Sequence, residues 1–195
     1  MKYPNSNKVY VKPKESASNR GMSLEDDINM SNRYYLNNDI AVIHKKPTPI
    51  TIVHVDYPKR SAAKITEAYF KVPSTTDYNG IYLGKYIDFE SKECESKTAF
   101  PFSSIHPHQI KHLSDVSKHG AIAFIILRMV SYDKDFLIKA NDFLNFYNSS
   151  KRKSLPFTWI SENGFEISRK YQIPCDYLTR VKEVFNLQEI YEQNN

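Results

Sequence analysis

The sequence predicts an α/β domain, a mixed β-sheet flanked by helices, and three observations carry that reading. The chain has 195 residues, 41% of them hydrophobic and 25% charged, which suits one domain with a core of useful size. Apolar runs of strand length ("IAVIHK", "ITIVHV", "AIAFIILRMV", "KDFLIKA") alternate with stretches of helical periodicity. Their order, helix, strands, helix, strands, helices, is that of a sheet with helices on its faces.

Residues 1–19 are polar and aperiodic, and we expect a flexible basic arm. Over residues 1–20, Lys2, Lys8, Lys12, Lys14 and Arg20 oppose Glu15 alone. Such an arm is either a solvated tail or a segment that docks on phosphates. Residues 20–195 then form a single domain. "SLEDDINMSNRYYL" predicts a helix capped by Ser23, with Glu25, Asp26 and Asp27 at its positive end and Leu24, Ile28, Tyr35 and Leu36 lining one side. Strands follow at 40–45 and 50–55, joined by "KPTP". The stretch 56–76 breaks the rhythm: Lys59, Arg60, Lys64 and Lys71 oppose Asp56 and Glu67, and little of it is apolar. An insertion of that kind is expected to project as a stalk. "YNGIYLGKYIDFESKE" reads as a hairpin turning near Gly84-Lys85. Residues 106–120 read as a helix with Pro107 near its start and Gly120 closing it. "AIAFIILRMV" and "KDFLIKA" are strands, the first one buried, and "ANDFLNFYNSS" is helical. "SLPFTWISENGFEI" fits no one pattern. "DYLTRVKEVFNLQEIYEQ" predicts a terminal amphipathic helix.

The net charge is +5 and the isoelectric point near 9.0, which suits a polyanionic partner without establishing one. Cys94 and Cys175 stand far apart with no Cys-x-x-Cys, the usage of free thiols in a reducing compartment. No apolar run follows "MKYPNSNKVY", and "AIAFIIL" is too short to span a bilayer, so the expectation is a soluble, cytoplasmic protein without a signal peptide.

In "YIDFESK", strand alternation points Ile87, Phe89 and Ser91 one way and Asp88, Glu90 and Lys92 the other. A row of acid, acid and lysine reads as an exposed face laced with salt bridges, or as a metal-dependent nuclease site. Magnesium takes oxygen ligands from one or two carboxylates. A neighbouring lysine can offset charge on an attacked phosphate. If the hairpin pairs as drawn, Asp77 meets the strand carrying Glu90. His106, His108, His112 and His119 with Cys94 offer a competing zinc set, in which His108 and His112 are spaced i, i+4, though no paired-cysteine motif supports it.

The segments "NRGMSLEDDIN" (19–29), "IAVIHKKPTPI" (40–50), "YPKRSAAKITEAYF" (57–70), "STTDYNGIYLGKYIDFESKE" (74–93) and "HPHQIKHL" (106–113) closely resemble the RecU family, Holliday junction resolvases of low-GC Gram-positive bacteria. The resemblance covers roughly residues 18–128. It implies a restriction-endonuclease-like (PD-(D/E)xK) fold, a homodimer, and magnesium-dependent, symmetric nicking of four-way DNA junctions in recombination and repair. It also implies manganese as a substitute metal, the RecA recombinase as a further partner and the bacterial nucleoid as the place of action. It places metal ligands on Thr75, Asp77, Glu90 and Gln109 and the transition-state-stabilising lysine on Lys92, and leaves Asp88 without a ligand role. Glu25 then reads as an acid near the site that orients a ligand or water. Arg20, Lys45, Lys59, Arg60 and Lys64 read as phosphate contacts. Tyr69 and Phe70, if not core residues, would stack on bases exposed at the junction centre. One departure is visible: "ECESKTAF" puts Cys94 and Glu95 where a more basic segment is expected. Two other functions fit the same residues, an endonuclease of this fold acting on other DNA and a non-catalytic junction-binding modulator of recombination.

Overall fold

In the computed structural model, residues 23–71 and 75–188 are described; the basic arm and Arg20 lie outside them. The elements run α1 (Leu24–Asn37), β1 (Ala41–Lys45), β2 (Ile50–Asp56), β3 (Lys64–Phe70), β4 (Tyr78–Tyr82), β5 (Lys85–Cys94), β6 (Ala99–Pro101), α2 (Pro107–Lys118), β7 (Ile122–Met129), β8 (Lys134–Lys139), α3 (Ala140–Ser149), β9 (Ser154–Pro156), α4 (Phe157–Asn163), β10 (Phe165–Ile167) and α5 (Tyr177–Val184). Six strands form one sheet in the order β1-β4-β5-β7-β8-β10. Its neighbours pair antiparallel except β5 and β7, which are parallel. A parallel pair needs a long crossover. Here the crossover carries β6 and α2, and it lays α2 against β5.

Alternation along β7 sends Ile122, Phe124 and Ile126 into a core shared with Leu24 and Ile28 of α1 and Tyr177 and Leu178 of α5. Ala123, Ile125 and Leu127 enter a second core with Leu113 of α2, Phe143 of α3 and Ile160 of α4. The architecture is therefore helices, mixed sheet, helices. Each boundary follows from local chemistry. The Ser23 side chain accepts from Asp26 N–H at 3.2 Å and starts α1. Leu36 proves 48% exposed, off the buried stripe of Leu24, Ile28 and Tyr35. Leu83 (φ 47°) and Gly84 (φ 69°) make a two-residue turn of the type that matches strand twist, and it fixes Tyr82 opposite Lys85 and Tyr78 opposite Phe89. Gly80 lets β4 approach β1, since a Cβ there would lie 2.1 Å from the Val42 carbonyl oxygen. The final helix is shorter than the sequence pattern predicts. Asn186 (φ 51°) ends it, with Leu187 N–H donating to Lys182 O and Asn186 N–H to Glu183 O, and these two backbone bonds close α5 as a Schellman cap does.

The projecting unit also differs from expectation. It begins at Ile50, not near residue 56, because β2 does not join the main sheet. It pairs antiparallel with β3 in a ribbon of its own, with a register irregularity between Ile52 and Val55. All seven residues of each strand are exposed. Residues 57–63 form the tip.

Arg128 of β7 is the ionic fastener of the α1 side. Its Nη2 lies 2.6 Å from Asp27 of α1 and its Nε 2.7 Å from Asp135 of β8. Arg169 Nε adds a second contact to Asp135 at 2.9 Å. Burial alone would push the Asp135 carboxyl up, yet the two guanidinium groups hold it below the usual range. Arg128→Met takes the guanidinium from Asp27, leaves Asp135 with Arg169 alone and removes a 3.8 Å contact to Glu93; it should cost about 3–5 kcal/mol in urea unfolding at neutral pH, and a loss below about 1 kcal/mol would show that the cluster is not what holds α1 down.

Candidate active site

The β4–β5 register places Tyr78 opposite Phe89, so the next residue back, Asp77, comes opposite Glu90. Asp88, Glu90 and Lys92 share the face that α2 covers. That face is not solvated: Asp88 and Glu90 are both fully buried. The helix runs back along β5, and its residues meet the strand in order, Gln109 on Glu90 and His112 on Asp88.

Glu90 Oε1 receives Gln109 Nε2 at 2.7 Å and Lys92 Nζ at 2.5 Å. Glu90 Oε2 is buried and has no hydrogen-bond partner. Burial first, and then the neighbouring Asp77 carboxylate, push the Glu90 carboxyl up to about 8, with Lys92 opposing them. Two carboxylates a few ångströms apart repel by roughly 4 kcal/mol at an effective dielectric of about 20. An orphaned acid oxygen facing a second acid fits a small, hard cation that neutralises both. The half-buried Thr75 leads into the same turn. Among the described residues no three His, Cys, Asp or Glu side chains gather as a metal-binding group. The zinc set therefore does not assemble: His112 is engaged by Asp88 at 3.2 Å, His106 stacks on His108, and Cys94 donates to Ala99 O.

Gln109 sits differently from a simple ligand. Its Oε1 accepts from His106 N–H at 2.9 Å, so the face it turns to Glu90 is the NH2 group. As placed, it orients the carboxylate. Glu25 is tied to Lys45, 2.5 Å apart and half-exposed, across α1 and β1. Lys59 and Lys64 are exposed on the ribbon, and the main chain of Arg60 begins the turn at its tip. Tyr69 and Phe70 are not core residues: they are 62% and 84% exposed at the ribbon root, with Tyr69 Oη on Glu67. Sequence reasoning missed Lys46, Thr76, Tyr86 and His112 around Asp88. Its one available signal was that a second acid on the Glu90 face needs counter-charge.

A mixed sheet that brings two acids, an amide and an ammonium into one half-buried pocket defines a protein with the parts of a phosphodiester hydrolase. Residues 19–183 match the model of the RecU family, Recombination protein U. The chain is 50% identical over 196 residues to the Holliday junction resolvase RecU of Geobacillus kaustophilus, covering 95% of this chain and 98% of that one. It is 49% identical over 195 residues to the protein of the same name from Oceanobacillus iheyensis, covering 95% and 100%. With that of Pediococcus pentosaceus it shares 51% identity over 168 residues, covering 85% and 84%. This chain belongs to the RecU family.

The raised Glu90 pKa has a readable sign. Between pH 4.5 and about 8 the folded, cation-free chain keeps a proton that the unfolded chain has lost. Stability in a chelator should therefore fall as pH rises through that window, by up to about 1.4 kcal/mol per pH unit. Added magnesium should offset the fall, and Glu90→Gln should abolish it. Thermal midpoints across pH 5–8.5 measure this, and identical slopes for wild type and Glu90→Gln would refute it.

Proposed function

We propose that this chain is a magnesium-dependent endonuclease that resolves four-way DNA junctions by paired symmetric nicks, on a fold of the PD-(D/E)xK type. The observation that carries the chemistry is the Glu90 oxygen left buried and unpartnered beside Asp77. The relatives' name, Holliday junction resolvase, supports the substrate. The fold type is supported by the mixed sheet and by the Glu-x-Lys strand beside an acid-bearing hairpin end.

Asp77, Glu90 and the Thr75 hydroxyl would hold the cation, with manganese a substitute, while Gln109 keeps Glu90 in its rotamer. The bound cation would supply Lewis-acid polarisation of the scissile phosphate. Lys92, only 22% exposed and already 2.5 Å from Glu90, moves its ammonium group onto the phosphate as negative charge builds there. A water molecule attacks the phosphorus in line and loses its proton to solvent, its oxygen forming the new P–O bond, while the bond to the 3′ oxygen breaks; that oxygen takes up a proton as the 3′ hydroxyl, and a 5′-phosphate remains on the other fragment. No side chain becomes covalently attached.

Shape recognition falls to the ribbon. A lone two-stranded ribbon is marginal in water, and this one exposes Ile50, Ile52, Val53, Tyr69 and Phe70. It is best stabilised by a second copy and by DNA together. A two-fold dimer would present two sites to a roughly two-fold junction. Lys59, Arg60, Lys64, Lys45 and Arg20 would contact phosphates, and Phe70 or Tyr69 would stack on open bases. Glu25, paired with Lys45, would set where that lysine reaches. Among the described residues no helix is long and apolar enough to cross a membrane, in keeping with action on the nucleoid. Contact with the RecA recombinase would be a separate surface.

Asp77→Asn should keep junction affinity and lose nicking on a synthetic mobile junction. Loss of both together would make Asp77 a folding residue, and undiminished nicking would leave a junction binder whose acids are structural. Lys92→Met should lower the nicking rate by about 10²–10³-fold with magnesium binding intact. Phe70→Ala should narrow the preference for junction over linear duplex while leaving the unfolding free energy within about 0.5 kcal/mol of wild type; an unchanged preference removes Phe70 from recognition.

A further inference from the structure

Asp88 lies two residues from Glu90 on the same face and is equally buried, yet its surroundings are opposite. Glu90 keeps an orphaned oxygen. Asp88 is saturated. Its Oδ2 receives Lys46 Nζ at 2.8 Å, Tyr86 Oη at 2.8 Å and His112 Nε2 at 3.2 Å, and its Oδ1 receives the Thr76 hydroxyl. Lys46 Nζ also donates to Thr76 Oγ1 at 3.0 Å, and Lys46 N–H donates to Asp77 O at 2.7 Å. Thr76 sits between Thr75 and Asp77. The Lys46 backbone and side chain and the Asp88 carboxylate thus grip two successive residues of the turn, Thr76 by its hydroxyl and Asp77 by its carbonyl. His112 ties the same carboxylate to α2, the helix that supplies Gln109.

This arrangement answers a mechanical problem. Two acids that repel each other will part unless the backbone under one of them is held. Asp77 heads a turn, not a strand, and the Tyr78–Phe89 pair is the last of the β4–β5 ladder. Beyond that pair, the Lys46–Thr76–Asp88 contacts and the Lys46 N–H bond are what fix the turn to β1 and β5.

We propose that Lys46 and Asp88 are positioning residues: their buried ion pair clamps the Thr75–Asp77 turn against β5 so that the Asp77 and Glu90 carboxylates face each other before cation and DNA arrive. The assignment rests on the reading of Asp77 and Glu90 as the cation pair. It separates two acids that strand alternation alone makes equivalent, Glu90 as ligand and Asp88 as anchor.

The test uses the full-length protein and magnesium as the probe. Magnesium binding is measured by calorimetry on the chelator-treated protein, nicking is followed against magnesium concentration, and junction affinity and thermal midpoint are measured in chelator. Asp88→Asn should weaken magnesium binding by about 10–100-fold, the range for groups that orient metal ligands. Its nicking should recover when magnesium is raised in proportion, with junction affinity unchanged. Asp77→Asn should not recover at any concentration. Lys46→Met should match Asp88→Asn, the double variant should be no worse than either, and Lys46→Arg should retain most of the affinity. Wild-type magnesium affinity in a folded Asp88→Asn or Lys46→Met protein overturns the proposal. So does a nicking defect that magnesium does not repair, which would make Asp88 part of the chemistry. Should Asp88→Asn fail to fold, Lys46→Met and Lys46→Arg carry the same comparison. A wild-type protein that neither binds magnesium nor nicks would instead sink the cation reading on which this one stands.

Discussion

The contact on which the molecule turns is one that proteins ordinarily avoid: a buried glutamate beside another acid. Glu90 has lost its water, has the Asp77 carboxylate for a neighbour, and satisfies one oxygen only. A domain of ordinary stability, about 5–15 kcal/mol, has little room for such a contact. The surrounding structure compensates with donors on one face of the strand and ring packing on the other. Lys92 and Gln109 take up Oε1, and Asp88 next door is given four donors. On the other face of the same strand, Phe89 stacks between Tyr78 and Phe124, with centroids 4.9 and 4.8 Å apart. The strand is pinned from below by aromatic packing and loaded from above with charge.

Topology turns this into a site. The two-residue turn at Leu83-Gly84 sets the register that brings residue 77 opposite residue 90. A one-residue slip would send the acids of β5 to the aromatic face. The parallel β5–β7 pair forces a crossover, and the crossover delivers Gln109 and His112 to the acid row. On the α1 side, Arg128 joins α1, β7 and β8 and reaches Glu93 on the far end of β5 at 3.8 Å, so the frame around the strand is tied from its opposite face as well.

Much of this was legible in the residues because it is locally encoded. Ser23 announces α1, Pro107 and Gly120 bracket α2, the Leu83-Gly84 turn lies where the hairpin pattern demands, and the unbroken apolar run of β7 is buried at every position. What escaped depends on contacts between distant segments. "ITIVHV" has the composition of any strand, and only the partner decides whether it enters the sheet or the ribbon. The direction in which Gln109 turns its amide depends on a backbone N–H three residues away that must be met by an oxygen. The saturation of Asp88 needs Lys46 and Thr76, which lie 42 and 12 residues off in the chain. Alternation places an acid on a face; it does not reveal whether that acid is spent or available.

The exposed ribbon is spliced into the chain between Lys46 and Thr75, the two sides of the grip on Asp77. Its strands lean on each other and not on the body, so the tip at residues 57–63 is free to change length or composition without disturbing the pocket. Its base has no such freedom. If the ribbon reads the junction as proposed, the lineage can retune which DNA shapes it prefers by editing one end of a hairpin, while the other end stays bound to the acid row. Recognition is modular at the tip and inherited with the chemistry at the root.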